Sequence, residues 1–242
     1  MYFAKVWLAR RFTAPECEPV CCDANSPLPF KRGAFGYAMC SDAFQYIWTK
    51  RQFVGELQRL IDDHDEPGAV VINHTHNQLA WSPSHGQPLA PAGYRDLFEA
   101  IEPRIFGEAG LLADLVAGGP LDLSRRDPEP SLDADPALTL IATRRPDVFR
   151  HHAIAELSTK ARGEFRLNPL YAVEEDGERL HLRLRFPSPD YEDEYGACRR
   201  YLPEEAVIDK GAMRDLETGS VTPTLKDLVR RRVIVDLPRQ YY

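Results

Sequence analysis

No apolar run in this 242-residue chain approaches the roughly 20 residues needed to cross a bilayer, so a membrane partner is not expected. The opening segment MYFAKVWLARRF is amphipathic and broken by Lys5, Arg10 and Arg11, so it is not expected to be a secretory signal. Positive charge is not in excess. Thirty Lys and Arg against 37 Asp and Glu leave a formal net charge of −7, which argues against a nucleic-acid binder, whose affinity comes from counterion release. The chain has no C-x-x-C pair, no internal repeat and no glycine-rich dinucleotide fingerprint, so a zinc ribbon, a solenoid and a dehydrogenase-like binder are disfavoured. Its five cysteines, four of them between Cys17 and Cys40, read as reduced thiols in a cytoplasmic protein.

What is present suits a globular protein. Apolar residues make up 43% and charged residues 28%, enough to build a sizeable core and to exclude wholesale disorder. Residues 2–12 carry Phe3, Val6 and Trp7 on one stripe, the pattern of a helix lying on a sheet. PVCC and FGYAMC read as buried strands, and TKRQFVGELQRLIDD as a helix with Thr49 at its N-cap and Phe53, Val54, Leu57, Leu60 and Ile61 inward. EPGAVVINHTHN gives a turn and a third buried strand. Continuous apolar strands alternating with helices predict a parallel sheet covered on both faces. Residues 82–136, with helical stretches near Ala92–Ile101 and Phe106–Val116, read as an insertion, after which ALTLIATRR returns to the sheet. The expected organisation is an α/β domain over 1–150 and a small α+β appendage over 163–242. The appendage contains a β-hairpin turning at Asp176-Gly177, the acidic tract DYEDEYG as a solvated loop, a short helix near Thr224 and a last strand RVIVDL.

In an open parallel sheet, ligands bind beyond the carboxyl ends of the strands. Asp23, Asp42 and His74-Thr75-His76 each follow a predicted strand, so all are expected at one rim. Asp23-Ala24, Leu28-Pro29-Phe30, Phe35, Cys40-Ser41-Asp42-Ala43, Glu56-Leu57-Gln58-Arg59-Leu60 and Pro67-Gly68-Ala69-Val70-Val71-Ile72 then fall in an order and spacing that resembles class I S-adenosylmethionine-dependent methyltransferases of the type-11-like branch. The resemblance covers residues 1–80 and, more loosely, 137–145. It implies an incomplete Rossmann-like sheet, parallel strands flanked by helices, and S-adenosylmethionine as cofactor. Asp23 would read the adenine amine with Ala24 beside it, and Cys40, Ser41 and Asp42 would pass the methionyl part. Leu28, Pro29, Phe30 and Phe35 would pack and position the loop. The family's glycine-rich turn and ribose-binding acid have no counterpart here, so another chain supplying an N-terminal half is one expectation.

The residue chemistry at the rim allows more than one role. His74 and His76, two apart, suit a general base for a hydroxyl or amine acceptor, or satisfied imidazoles at a polar strand end. Tyr46 suits a hydrogen bond to substrate or aromatic packing. Asp23 suits an Asx-turn as well as a ligand, and Asp42 a helix cap. A two-histidine metal site lacks an obvious third ligand in the sequence, His85 being the nearest, so no metal is assigned. Two functions follow from different classes: a small-molecule methyltransferase, or a non-catalytic scaffold that retains part of its fold.

Overall fold

The structure is a computed structural model that describes residues 3–62, 66–81, 86–117, 119–153, 164–217 and 222–237. In chain order its elements are α1 (Phe3–Leu8), a π-turn (Ala9–Thr13), β1 (Tyr37–Ser41), a 3₁₀ turn (Phe44–Tyr46), α2 (Lys50–Leu60), β2 (Ala69–His76), α3 (Pro91–Asp96), β3 (Arg104–Gly107), α4 (Glu108–Ala117), β4 (Leu121–Asp122), α5 (Glu129–Ala134), β5 (Ala137–Thr143) and β6 (His151–His152). There follow β7 (Glu164–Leu167), β8 (Tyr171–Asp176), β9 (Arg179–Leu184), α6 (Pro189–Tyr195), β10 (Glu205–Asp209), α7 (Lys210–Glu217), α8 (Pro223–Arg230) and β11 (Ile234–Leu237). They divide into two compact units. The first takes in Met1–Leu79, Ser84–Ile105 and Pro128–Val148; the second takes in Ala80–Pro83, Phe106–Asp127 and Phe149–Tyr242.

The first unit holds β1, β2 and β5 of the sheet β1-β2-β5-β3, with Arg104 and Ile105 of β3. β1 and β2 are parallel, from Tyr37 opposite Ala69 to Ser41 opposite Asn73. α2 turns Phe53, Val54 and Leu57, with Ile61 just after it, onto a core that includes Cys40, Phe44, Val70, Ile72, Tyr94, Leu138 and Leu140, and Leu60 is buried as well. Five such side chains at about 1.5–3 kcal/mol each contribute on the order of 10 kcal/mol, so this helix is a main support of β1 and β2. Gly68 admits the chain into β2: a Cβ there would lie 2.6 Å from the Gly36 carbonyl oxygen.

Several expectations change in this unit. The sheet is mixed, because β5 runs antiparallel to β2. One face of β1 is bare, Met39 being 59% exposed, whereas β5 is the strand buried almost throughout. PVCC forms no strand. Pro19 has no N–H to give a ladder, and Cys21 is exposed in irregular chain. α1 forms where its periodicity predicts, but Phe3 and Trp7 face solvent and do not lie on the sheet. β3 interrupts the stretch read as an insertion. Pro103 precedes it, and its Ile105 and Phe106 are both buried.

The second unit has its own core, which includes Phe165, Leu180, Leu182, Leu184, Ile208, Leu225 and Ile234. The hairpin β8–β9 closes through Gly177, whose positive φ of 55° the turn requires, and β10 extends it to three antiparallel strands. β9 alternates as read: Leu180, Leu182 and Leu184 go in while Arg179, His181 and Arg183 stay out. The acidic tract is helix α6 and not a loop. The Ser188 side chain accepts the Tyr191 N–H, Pro189 occupies the first turn, and Asp190 and Glu192 sit at the positive end of the helix dipole. α8 begins in the same way, with Thr222 accepting from Leu225 N.

The exit from β2 depends on one residue. The fully buried Asn77 donates from Nδ2 to the carbonyls of Leu132, Asp133 and Asp135, each at 3.0 Å, and its Oδ1 accepts from Leu79 N at 3.1 Å. Asn77→Ala strands these backbone groups without an apolar replacement, and is expected to lower stability by roughly 3 kcal/mol in urea denaturation. A loss below about 0.5 kcal/mol would show that the clamp is dispensable.

Candidate functional site

The carboxyl ends of the parallel pair β1 and β2 lie side by side, which brings Ser41, Asp42, Asn73, His74 and His76 to one rim. Asn73 Nδ2 donates to Ser41 Oγ at 3.0 Å across the pair, and Asp42 N donates to Asn73 O at 3.1 Å. The chain then turns sharply: Asp42 has φ 47° and His74 φ 50°, the left-handed region. Asp and His tolerate that region better than branched residues do.

At His74 the ladder between β2 and β5 slips. Ile72 faces Leu140 but Thr75 faces Leu138, so Asn73 and His74 together oppose Thr139. This is a β-bulge, and it shifts the inward positions from Val70 and Ile72 to Thr75. Thr75 Oγ1 donates to Tyr94 Oη at 3.0 Å in the core, and Tyr94 Oη donates to His76 O at 2.7 Å. Burial holds the Tyr94 phenol above its ordinary value. The His76 side chain is therefore directed away from the core, where its Nε2 lies 4.0 Å from Asp42 Oδ1. The two imidazoles meet edge to face with centroids 5.8 Å apart. His76 is 14% exposed and Asp42 63% exposed, so the pair has one sheltered and one open member.

Gln45, in the 3₁₀ turn after Asp42, is only 1% exposed, and its Nε2 donates to Asp42 Oδ1 at 3.0 Å. Its backbone oxygen accepts from Gln87 N at 2.8 Å and from Lys50 Nζ at 3.3 Å. Burial lowers the Lys50 ammonium below its ordinary value. Tyr46, in the same turn, is half exposed and not packed into the core.

The other residues implied by the resemblance are placed differently. Asp23 follows no strand: its Oδ1 accepts from Asn25 N at 3.0 Å and Asn25 Nδ2 at 3.2 Å, an Asx-turn that holds the carboxyl below its usual value. Asn25 in turn anchors this loop to the start of α2, its Oδ1 accepting from Trp48 N and Thr49 N at 2.8 and 3.2 Å. Ala24 packs against the core. Leu28 and Phe30 are clamped by α2. Glu56 Oε2 accepts from Leu28 N at 2.7 Å, and Arg59 donates to the carbonyls of Leu28 and Phe30. The Arg59 guanidinium, then the Leu28 amide, hold the Glu56 carboxyl below its ordinary value. Cys40 turns into the core between Met39 and Ser41, so only its backbone faces the rim. His85 lies outside the described residues.

Asn73, Gln45 and Asn25 were not foreseen. The polar run Asn73–Asn77 ending an apolar strand was the available signal for Asn73. Gln45 and Asn25 act only through tertiary neighbours, and nothing local marks them.

No family model matches this sequence, and no curated protein matches it. Among solved structures, the chain is similar to a protein from Bacillus halodurans C-125 described as a "putative methyltransferase". Identity is 13%, the match covers 60% of this chain and 80% of that one, and the TM-score is 0.37. A likeness this distant carries no functional argument. No helix among the described residues is long and apolar enough to cross a membrane.

Burial pushes the Cys40 thiol up to about 11 from its ordinary 9.0. The unfolded chain therefore binds fewer protons than the native one between those values, and Cys40 is expected to erode stability as pH rises from 9 towards 11. Native labelling with a thiol-specific disulfide reagent should modify exposed Cys17 and Cys21 quickly, and buried Cys40 and Cys198 only on unfolding. Peptide mapping by mass spectrometry reads the order; early modification of Cys40 would contradict it.

Proposed function

We propose that the first unit is a methyltransferase-like domain that binds S-adenosylmethionine at the β1–β2 rim and acts on a small-molecule acceptor. The observation that carries this reading is the convergence of Ser41, Asp42 and His76 beyond the carboxyl ends of two parallel strands, in the segment whose residues resemble the family. The exposed oxygens of Asp23, Ser41 and Asp42 suit the hydroxyl and amine donors of a nucleoside, with Ala24 and Cys40 contributing backbone. When bound, the cofactor supplies an electrophilic methyl group. His76, whose Nε2 side faces the Asp42 carboxylate, takes the acceptor's proton on its other ring nitrogen, while His74 and Tyr46 orient the acceptor.

A second reading, a non-catalytic scaffold, is favoured by the Asx-turn that occupies Asp23 Oδ1 and by the bare face of β1. Calorimetric titration with S-adenosylhomocysteine separates the two. The catalytic reading expects micromolar binding that weakens at least tenfold in Asp42→Ala and Asp23→Ala. Absence of binding by a folded chain would overturn it and leave the scaffold.

A further inference from the structure

Asp42, His74 and His76 form a three-ligand cluster that the sequence had not disclosed as one. One carboxylate oxygen and one nitrogen from each ring all lie within 4.8 Å of one another. We propose that these three residues bind a divalent first-row transition ion of the zinc or iron(II) class, leaving coordination positions open to solvent or to an oxygen ligand. The inference does not rest on methyl transfer.

The donor set is the first argument. Two imidazoles and a carboxylate suit such ions and are poor for magnesium or calcium, which prefer all-oxygen cages. Bonds of about 2.1 Å place tetrahedral ligand atoms about 3.4 Å apart. The Asp42–His76 separation of 4.0 Å lies within a small side-chain rotation of that value. Three protein ligands leave at least one position open.

The second argument is what the fold spends to assemble these residues. Among the described residues, only three other than glycine have positive φ, and two of them are Asp42 and His74. Such conformations cost on the order of 1 kcal/mol or more and persist where the surroundings impose them. The bulge falls at His74 itself. With regular pairing His74 and His76 would share the inward face of Val70 and Ile72; the extra residue turns His76 out towards Asp42.

The third argument is the support behind the carboxylate. Metal-binding carboxylates are held by a further hydrogen bond, and Gln45 Nε2 provides one to Asp42 Oδ1. Gln45 does so from a buried position in which its Oε1 has no hydrogen-bond partner among the described residues. A buried amide kept at that cost is better explained by the group it orients than by packing.

A metal would also redefine the histidines. An imidazole bound to an ion cannot take a proton, so the pair would hold a Lewis acid where the methyl-transfer reading has a base.

Cobalt(II) titration of the untagged, chelator-treated full chain, without any nucleoside, tests the site independently of S-adenosylhomocysteine binding. The expected result is one equivalent bound with ligand-field bands of nitrogen and oxygen donors, and affinity at least tenfold weaker in His76→Gln and Asp42→Asn. Asparagine tolerates the positive φ at position 42, and His74→Asn provides a third variant on the same ground. His151→Gln, in the second unit, should leave binding unchanged. Absence of binding by a wild-type chain with intact circular dichroism overturns the proposal. So does affinity indifferent to all three substitutions, or a thiolate charge-transfer band, which would place the ion on Cys17, Cys21 or Cys22.

Discussion

The antiparallel contact between β2 and β5 is pinned at both ends, and the rim chemistry depends on that constraint. At one end Thr143 Oγ1 donates to Gly68 O at 2.8 Å; at the other the Asn77 side chain grips the three carbonyls leading into β5, while Asn77 N donates to Pro136 O. Between these clamps eight residues of β2 face seven of β5. The extra residue has to be absorbed within the strand, and it is absorbed at Asn73-His74. The bulge accommodates that difference in length between the clamped ends, and it decides where His76 points.

From that one offset the site follows. Thr75 moves inward to Tyr94, whose hydroxyl secures the His76 carbonyl, so the backbone under the imidazole is held by the core while the ring stands clear of it. Asp42 reaches the same place from the neighbouring strand because β1 and β2 are parallel and their pairing ends at Ser41 opposite Asn73, one residue before Asp42 and His74. Gln45 then steadies the carboxylate from below. Whether the cluster works as an acid–base pair or as a cation site, it is the same few side chains, delivered by one parallel pair and one bulge.

The resemblance and the structure meet in an instructive way at the loop before β1. Leu28, Phe30, Glu56 and Arg59 belong together because the α2 pair Glu56–Arg59 holds the loop's backbone, a role in positioning that needs no ligand. Asp23 sits in the part of that loop tied down by Asn25. These residues have a packing role of their own, which is why the rim carries the functional reading.

The periodicity of the chain by itself determined α2, β1, β2, β5 and the β8–β9 hairpin, because apolar spacing and turn residues act over a few positions and each segment has one face to bury. It also marked Asp42, His74 and His76 as polar ends of apolar strands. The direction of β5, the lack of a strand at residues 19–22 and the helical acidic tract were decided by partners distant in the sequence or by caps that read as loop. Only the tertiary structure could bring the third ligand to the histidines. Asp42 is thirty-odd positions from them along the chain, and their contact depends on strand register and on a bulge set by clamps at Gly68 and Asn77. No local pattern encodes that, because the constraint is the difference in length between two strands that pair only once the sheet has formed.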